Sequence, residues 1–509
     1  MKRKGRIVIS IALMVSLMIT ALAGCSKKQN KGSTNGNKPE LRALMGYASV
    51  DLNTYPSAKV LEQRTGYKVH YDTLPQDRPI DKLNLIISSG ENYDFITYSN
   101  AQRYTYYAKE GALLDLDTLI EKYGKNIKKN IAKESFDAIR IDGKCYAIPD
   151  TKTAANNRED IGPGNCLAVR QDWLDKLGLK VPTTIDEFTA MLQAFKDKDP
   201  GNRSSKNVPF VVGQSPETAS NIMGAFGIPN AWNDVNGELV PNILMPGYKD
   251  YLSYMIDLYK KGLIDKEFPT NTLAVRNQKF TSGNAGVMAL SWSEVPNITD
   301  ALKKNIPDAK LTFIPPLKGK DGKIGIGSKV SAYMFNSFTY IPQKTSKHAE
   351  DVIKYFDLKL DDETFKLFTI GEEGKHYTVK DGKYYPIQPI FFKERGSANY
   401  FLTGSNAKYS QYWLARLRKD QRLYDAYMVM NVDYAKYFIK DPTSTAGVGD
   451  LVENSKNSPV LDEMAHDYMV KVITGTEPLS SYDEFIKDWK AKGGEACTNE
   501  VNDWYKTKK

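Results

Sequence analysis

Apolar residues run almost without interruption over residues 7–23, and after that they recur with two distinct periods. Residues 42–47 form a short apolar stretch, and 57–65 carry an apolar stripe of helical spacing that stops at Gly66. Tyr67, Val69 and Tyr71 then alternate with Lys68 and His70. A repeat near 3.6 buries one face of a helix and a repeat of 2 one face of a strand, so the predicted order is strand, helix, strand. Leu83, Ile86 and Ile87 give residues 81–89 one apolar face before Gly90, and 94–98 reads as the next strand. Strands alternating with helices predict an α/β fold with mainly parallel sheets, whose ligand crevices lie beyond the carboxyl ends of the strands. Thr118 and Glu121 have the spacing of a capping box at the start of a further helix. Asp142-Gly143, set between Ile141 and Lys144, is a strong hairpin signal.

A second α/β region begins at residues 166–170, followed by a short helix through Leu177 that Gly178 ends. Thr184 opens a longer helix with Glu187 as its box partner, and Ile185, Phe188, Met191, Leu192 and Phe195 form its buried stripe. Tyr251, Leu252, Met255, Leu258 and Tyr259 mark another core-facing helix, closed by Gly262. Residues 285–290 form a buried strand that runs into Ser291-Trp292-Ser293, and 311–317 form another, interrupted by Pro315-Pro316. From about residue 411 the pattern is mostly helical to the end, and no internal repeat occurs.

The apolar run at the start has an address in its flanks. Lys2, Arg3, Lys4 and Arg6 precede it and Gly24-Cys25 follow, the charged, apolar, small-residue order of an export signal over 1–24. Its ending, Leu22-Ala23-Gly24-Cys25, resembles a bacterial lipobox, which implies cleavage before Cys25 and a diacylglyceryl group on its thiol. A signal-anchor helix is the alternative, but about 17 apolar residues sit at the lower limit for crossing a bilayer. Residues 26–40 contain no apolar side chain, so nothing offsets the entropy of ordering them; residues 25–40 are expected to act as a flexible leash of roughly 20 Å.

The formal charge of +9 falls to +5 without the four positive residues of the leader, and bases and acids are interspersed, which argues against a nucleic-acid partner. The remaining length exceeds what one core usually supports, so two lobes are expected. Cys145, Cys166 and Cys497 allow at most one disulfide, and spacing alone does not say whether one forms. The four histidines, His70, His348, His376 and His466, are scattered. There is no HExxH, no Cys/His zinc spacing, no GxSxG and no GxxxxGK.

Eight phrases in order resemble the extracellular solute-binding proteins of the maltose-binding type, in particular their long Gram-positive lipoprotein branch. They are LNLIISSGENYDFI (83–96), GALLDLDTLIEKYGKNI (111–127), DGKCYAIP (142–149), VRQDWLDKLGLKVPTTIDEF (169–188), YLSYMIDLYKKGLID (251–265), KFTSGNAGVM (279–288), KHAEDVIKYFD (347–357) and GEEGKHYTV (371–379). The resemblance implies a two-lobe, periplasmic-binding-protein-like type II fold with a hinge and a helical carboxyl-terminal region. Lobe 1 would hold 41–150 plus 313–372, and lobe 2 would hold 151–312 plus 373–509. It further implies a non-catalytic receptor of an ABC importer, lipid-anchored on the outer face of the cell membrane, acting as a monomer that captures an oligosaccharide and presents it to permease subunits. Two alternatives stay open: a ligand sensor for a membrane kinase, which would use the same fold, and a secreted polysaccharide-degrading enzyme, for which no catalytic phrase is recognisable.

A sugar presents apolar C–H faces rimmed by hydroxyls, so its site needs aromatic surfaces beside groups that donate and accept hydrogen bonds. Position after strand ends selects Tyr47, Tyr98, Asn100, Arg103 and Trp292. Trp232, between a helix and a turn, and Glu372, beside an expected lobe crossing, complete the candidates. Trp173, Trp489 and Trp504 lie on amphipathic helices and are assigned to packing. Where relatives carry an acidic calcium loop, residues 199–209 read Asp199-Pro200-Gly201-Asn202-Arg203-Ser204-Ser205-Lys206-Asn207-Val208-Pro209, one residue short and with Lys and Asn in place of acids. Calcium takes roughly six to eight oxygen ligands, so no metal or other cofactor is expected.

Overall fold

The computed structural model describes residues 38–151, 163–214, 220–328, 335–402, 409–443 and 451–507, which leaves the leader, Cys25 and nearly all of the leash outside it. Pro39–Lys509 constitute one structural unit. Nine strands make its two principal sheets: β1 (Leu41–Met45), β2 (Val69–Thr73), β3 (Phe95–Tyr98), β4 (Ile148–Thr151), β5 (Asn165–Arg170), β6 (Val208–Val211), β7 (Ala285–Ser291), β8 (Leu311–Ile314) and β9 (Phe335–Tyr340).

The first sheet runs in the order β2-β1-β3-β9-β4 and the second in the order β8-β5-β7-β6. In the first, β1 pairs in parallel with β2 and β3, while β9 lies antiparallel between β3 and β4. In the second, β6 and β7 are parallel, and β5 lies antiparallel between β7 and β8. Each sheet therefore has a single strand running against the rest, and the mixed α/β class with mainly parallel sheets follows the alternation of the sequence.

Alternation also explains why both faces of each sheet are covered. Leu41, Ala43 and Met45 enter one hydrophobic core and Leu44 the opposite one. Leu167 and Val169 are divided from Cys166 and Ala168 in the same way. A strand buried on both sides needs apolar residues at consecutive positions, which is what the short runs at 42–47 and 166–170 supply. Each large side chain buried here contributes about 1.5–3 kcal/mol.

The crossover helices obey local signals. Pro56 opens Pro56–Thr65 and Gly66, at φ +72°, closes it; Pro79 and Gly90 do the same for Pro79–Ser89. Thr184 caps Ile185–Lys198 with the expected Glu187 box. Asp142 and Gly143 turn at φ +50° and +78°, and Ile141 and Lys144 exchange both backbone hydrogen bonds at 3.0 Å. Cys145, Cys166 and Cys497 are all buried and free.

The structure departs from the sequence expectation in three places. The helix Asp117–Tyr123 starts one residue before the expected cap, and the Asp115 carboxylate, rather than Thr118, receives the Asp117 N–H at 3.1 Å. Residues 377–402 and 409–415 pack with the first sheet, since Tyr377, Phe391, Phe401, Tyr409 and Tyr412 share a core with Leu41 and Phe95. Only further on do Ala426 and Met430, then Leu461, Met469 and Trp489, join the cores of the second sheet. A boundary at 373 therefore does not follow the packing. Strand β8 likewise lies wholly in the second sheet, past the boundary expected at 313.

Candidate functional site

The carboxyl ends of β1, β3 and β4 bring Met45, Gly46, Tyr47, Thr97, Tyr98, Ser99 and Asp150 to one side of a cavity of about 510 Å³. From the second sheet, the chain leaving β7 contributes Trp292 and Ser293. Gly396, Asn399, Tyr400, Tyr409, Trp413 and Arg416 complete the wall, with Lys419 and Leu423 beside them. Both principal sheets thus furnish the cavity, at the strand ends where open α/β sheets place ligands.

Trp292 is held by the turn it begins. Ser291 and Glu294 form a capping box around it, and its own N–H donates to the Gly164 carbonyl at 3.2 Å. Its ring stands edge-on to Trp413, 5.9 Å between centroids at 87°, and to Tyr427, 5.1 Å at 89°. Trp413 lies on the helix Tyr409–Leu417 and contacts the ring of Tyr409 at 6.1 Å. On the first sheet's side, Tyr47 is 49% exposed. The Tyr400 hydroxyl accepts from the Ser49 N–H at 3.3 Å and lies 3.1 Å from the Ser49 hydroxyl.

Such a wall offers ring faces, hydroxyls and amides, which suits an apolar surface rimmed by polar groups. It does not suit hydrolysis: Asp150 is the single carboxylate lining the cavity among the described residues, and glycoside cleavage calls for a flanking pair. Among the described residues no group of three or more His, Cys, Asp or Glu is placed to hold a metal. Burial lowers the pKa of Arg416. Lys359, buried among aromatic rings, is pushed down to about 7 by burial against the opposing pull of Asp150.

Of the side chains selected from sequence, the structure brings Tyr47, Tyr98 and Trp292 together in this cavity. It does not bring the others there. Asn100 is a helix cap, its side-chain oxygen accepting from the Arg103 N–H at 2.8 Å. Arg103 lines a different depression with Tyr106, its guanidinium 5.6 Å from that ring. Three residues past the end of β3 the chain has already turned into Ala101–Lys109, so proximity to a strand end no longer implies proximity to the cleft. Trp232 starts a hairpin, Trp232–Val235 against Glu238–Pro241, turned by Asn236 and Gly237 at φ +54° and +92°. Glu372 lies in an exposed turn, where its N–H donates to His376 Nδ1 at 3.0 Å and its carboxylate is 3.9 Å from Lys375.

Asn399, Tyr400, Tyr409, Trp413, Arg416 and Lys419 escaped the sequence reading. Tyr409, Trp413 and Arg416 recur at helical spacing, which reads as a core stripe. The usable signal was Arg416, because an arginine on the apolar face of a helix requires a polar task there.

The family model for bacterial extracellular solute-binding protein matches residues 51–363. The lipoprotein LipO of Bacillus subtilis (strain 168) is 26% identical over 98% of each chain. The polygalacturonan/rhamnogalacturonan-binding protein YtcQ of the same organism is 23% identical over the whole of both chains. Among solved structures, the Streptococcus pneumoniae ABC-transporter substrate-binding protein FusA in complex with kestose superposes with a TM-score of 0.70 at 20% identity, covering 92% of this chain and 100% of that one. At that identity the likeness establishes the fold.

Proposed function

We propose that this chain, which belongs to the bacterial extracellular solute-binding protein family and is a binding protein rather than an enzyme, captures an oligosaccharide in the cleft between its two sheets. The observation that carries the reading is the shared wall: Tyr47 follows and Tyr98 ends a strand of the first sheet, and Trp292 follows a strand of the second. A solute touched from both sides binds a closed arrangement better than an open one and shifts the population toward it. Closure then distinguishes loaded from empty receptor for an importer's permease. The names of the relatives, one a polygalacturonan/rhamnogalacturonan-binding protein and one in complex with kestose, support a saccharide as the solute.

We place the protein on the outer face of the cell membrane, held by lipid on Cys25. The lipobox-like Leu22-Ala23-Gly24-Cys25 and the lipoprotein relative support this. Two acyl chains give stable attachment where one gives a marginal one, and the leash keeps the cleft near the permease at high effective concentration.

No calcium is assigned to 199–209. The Asp199 carboxylate accepts the N–H groups of Arg203 at 3.0 Å and Ser204 at 2.7 Å, the Lys176 ammonium donates to the Pro200 carbonyl at 2.7 Å, and Arg203 Nε donates to the Gly283 carbonyl at 3.1 Å. The Asp199 carboxylate and the Pro200 carbonyl are thus engaged by the chain's own donors. Calorimetric titration with calcium should show no micromolar affinity; such affinity, lost on Asp199→Ala, would refute the assignment.

The saccharide reading is tested by a thermal-shift screen of the full mature chain against short β-fructans, oligogalacturonides and neutral glucans. One class should raise Tm, with a stabilisation of about 2.7 kcal/mol at a hundredfold excess over Kd. A flat response to every saccharide overturns it.

A further inference from the structure

Arg416 is 6% exposed, yet among the described residues no carboxylate pairs with its guanidinium. Its two Nη atoms make four hydrogen bonds, three of them to residues 395–399, while its Nε has no partner among the described residues. Nη1 donates to the carbonyls of Arg395 at 2.5 Å and Thr369 at 3.4 Å, and Nη2 donates to the Gly396 carbonyl at 2.8 Å and Asn399 Oδ1 at 3.2 Å. Burying an unpaired guanidinium is costly, and a helix that only needed to pack would do better with leucine or methionine. What the charge achieves is order in the segment it grips, because Gly396, Asn399, Tyr400 and Leu402 all line the cleft.

The grip extends one contact further. The Tyr400 hydroxyl accepts from the Ser49 N–H at 3.3 Å and sits 3.1 Å from its hydroxyl, and Ser49 is two residues beyond Tyr47. Ser397 N–H donates to the Tyr55 hydroxyl at 2.8 Å, which anchors the same segment to the first sheet's core. The helix that carries Arg416 also carries Trp413, which meets Trp292 from the second sheet.

We propose that Arg416 is a positioning residue of the cleft: its guanidinium fixes residues 396–402 and, through Tyr400 and Ser49, the segment that carries Tyr47. The aromatic wall is then set before solute arrives, and less ordering entropy opposes binding. The proposal rests on reading this cavity as the solute site, but its test needs no solute. A failed saccharide screen and a failed positioning test are therefore separate outcomes.

The test is amide hydrogen exchange on the full mature chain, comparing wild type with R416M, R416K and Y400F. Losing a charge-assisted hydrogen bond raises local opening about tenfold or more. R416M should show that acceleration at 396–402 and 46–50 while β1 and β5 exchange as in wild type. R416K, which keeps a cationic donor at this position, should restore most of the protection at 396–402. Y400F should accelerate 46–50 alone. The proposal is overturned if R416M leaves both segments at wild-type rates, if it accelerates the whole first sheet equally, or if Y400F loosens 396–402 as much as 46–50.

Discussion

Lys359 shows how much a single residue imposes on this fold. It is buried against Tyr355, Phe356 and Phe368, with its Nζ 4.9 Å from the Phe356 ring centre, and burial holds its pKa near 7 rather than at 10.5. Between those two values the unfolded chain carries a proton that the folded one lacks, so stability rises with pH across that window. The slope from this group is at most about 1.4 kcal/mol per pH unit. Below pH 7 both states are charged and the full cost is present. K359M should therefore flatten the Tm-against-pH curve between pH 7 and 9 and raise Tm at pH 6.5; unchanged curves would contradict the assignment. The sequence did not reveal this lysine, because Lys359 ends the helix Ala349–Lys359 where a solvated residue is the ordinary expectation. Trp292 was legible for the opposite reason: a strand pattern ran directly into it, and strand ends are where this class of fold places its ligands.

At the scale of single elements, local chemistry was readable wherever the deciding contacts lie within a few residues. The Thr184–Glu187 box and the glycines that end helices at 66, 90 and 178 needed nothing distant. Thr118 misled because Asp117, the residue before it, is held by Arg140 from 23 positions away, with two contacts of 2.8 Å, and the helix begins there. The Asn236-Gly237 turn was in plain view, yet the tryptophan beside it drew the reading toward ligand binding. Packing sets similarly tight limits inside β7. A Cβ on Gly286 would lie 2.5 Å from Phe195 Cδ2 and 2.7 Å from Trp173 Cζ3. G286A should therefore cost about 1–3 kcal/mol of stability by overpacking, measured by denaturant unfolding. No loss would mean that the aromatic pair yields more easily than the geometry implies.

For the whole molecule, the alternation of strands and helices was enough to predict two α/β cores, but not which core each carboxyl-terminal helix covers. An amphipathic helix records that one face is buried without recording against what. Tyr409–Leu417 carries Tyr409 and Tyr412 into the first core, and Gln421–Met428 carries Ala426 into the second. The corner between them brings Leu417, Lys419 and Leu423 to the cleft wall. The chain's passage from one core to the other is thus built into the cavity wall itself. The most direct test is calorimetric titration of wild type, Y47A and W292A, one ring removed from each side, with the saccharide that raises Tm. Wild type should bind one equivalent, and each variant should bind about tenfold more weakly or worse, as truncated aromatic anchors do. Wild-type affinity in either variant would contradict a cleft shared by the two sheets.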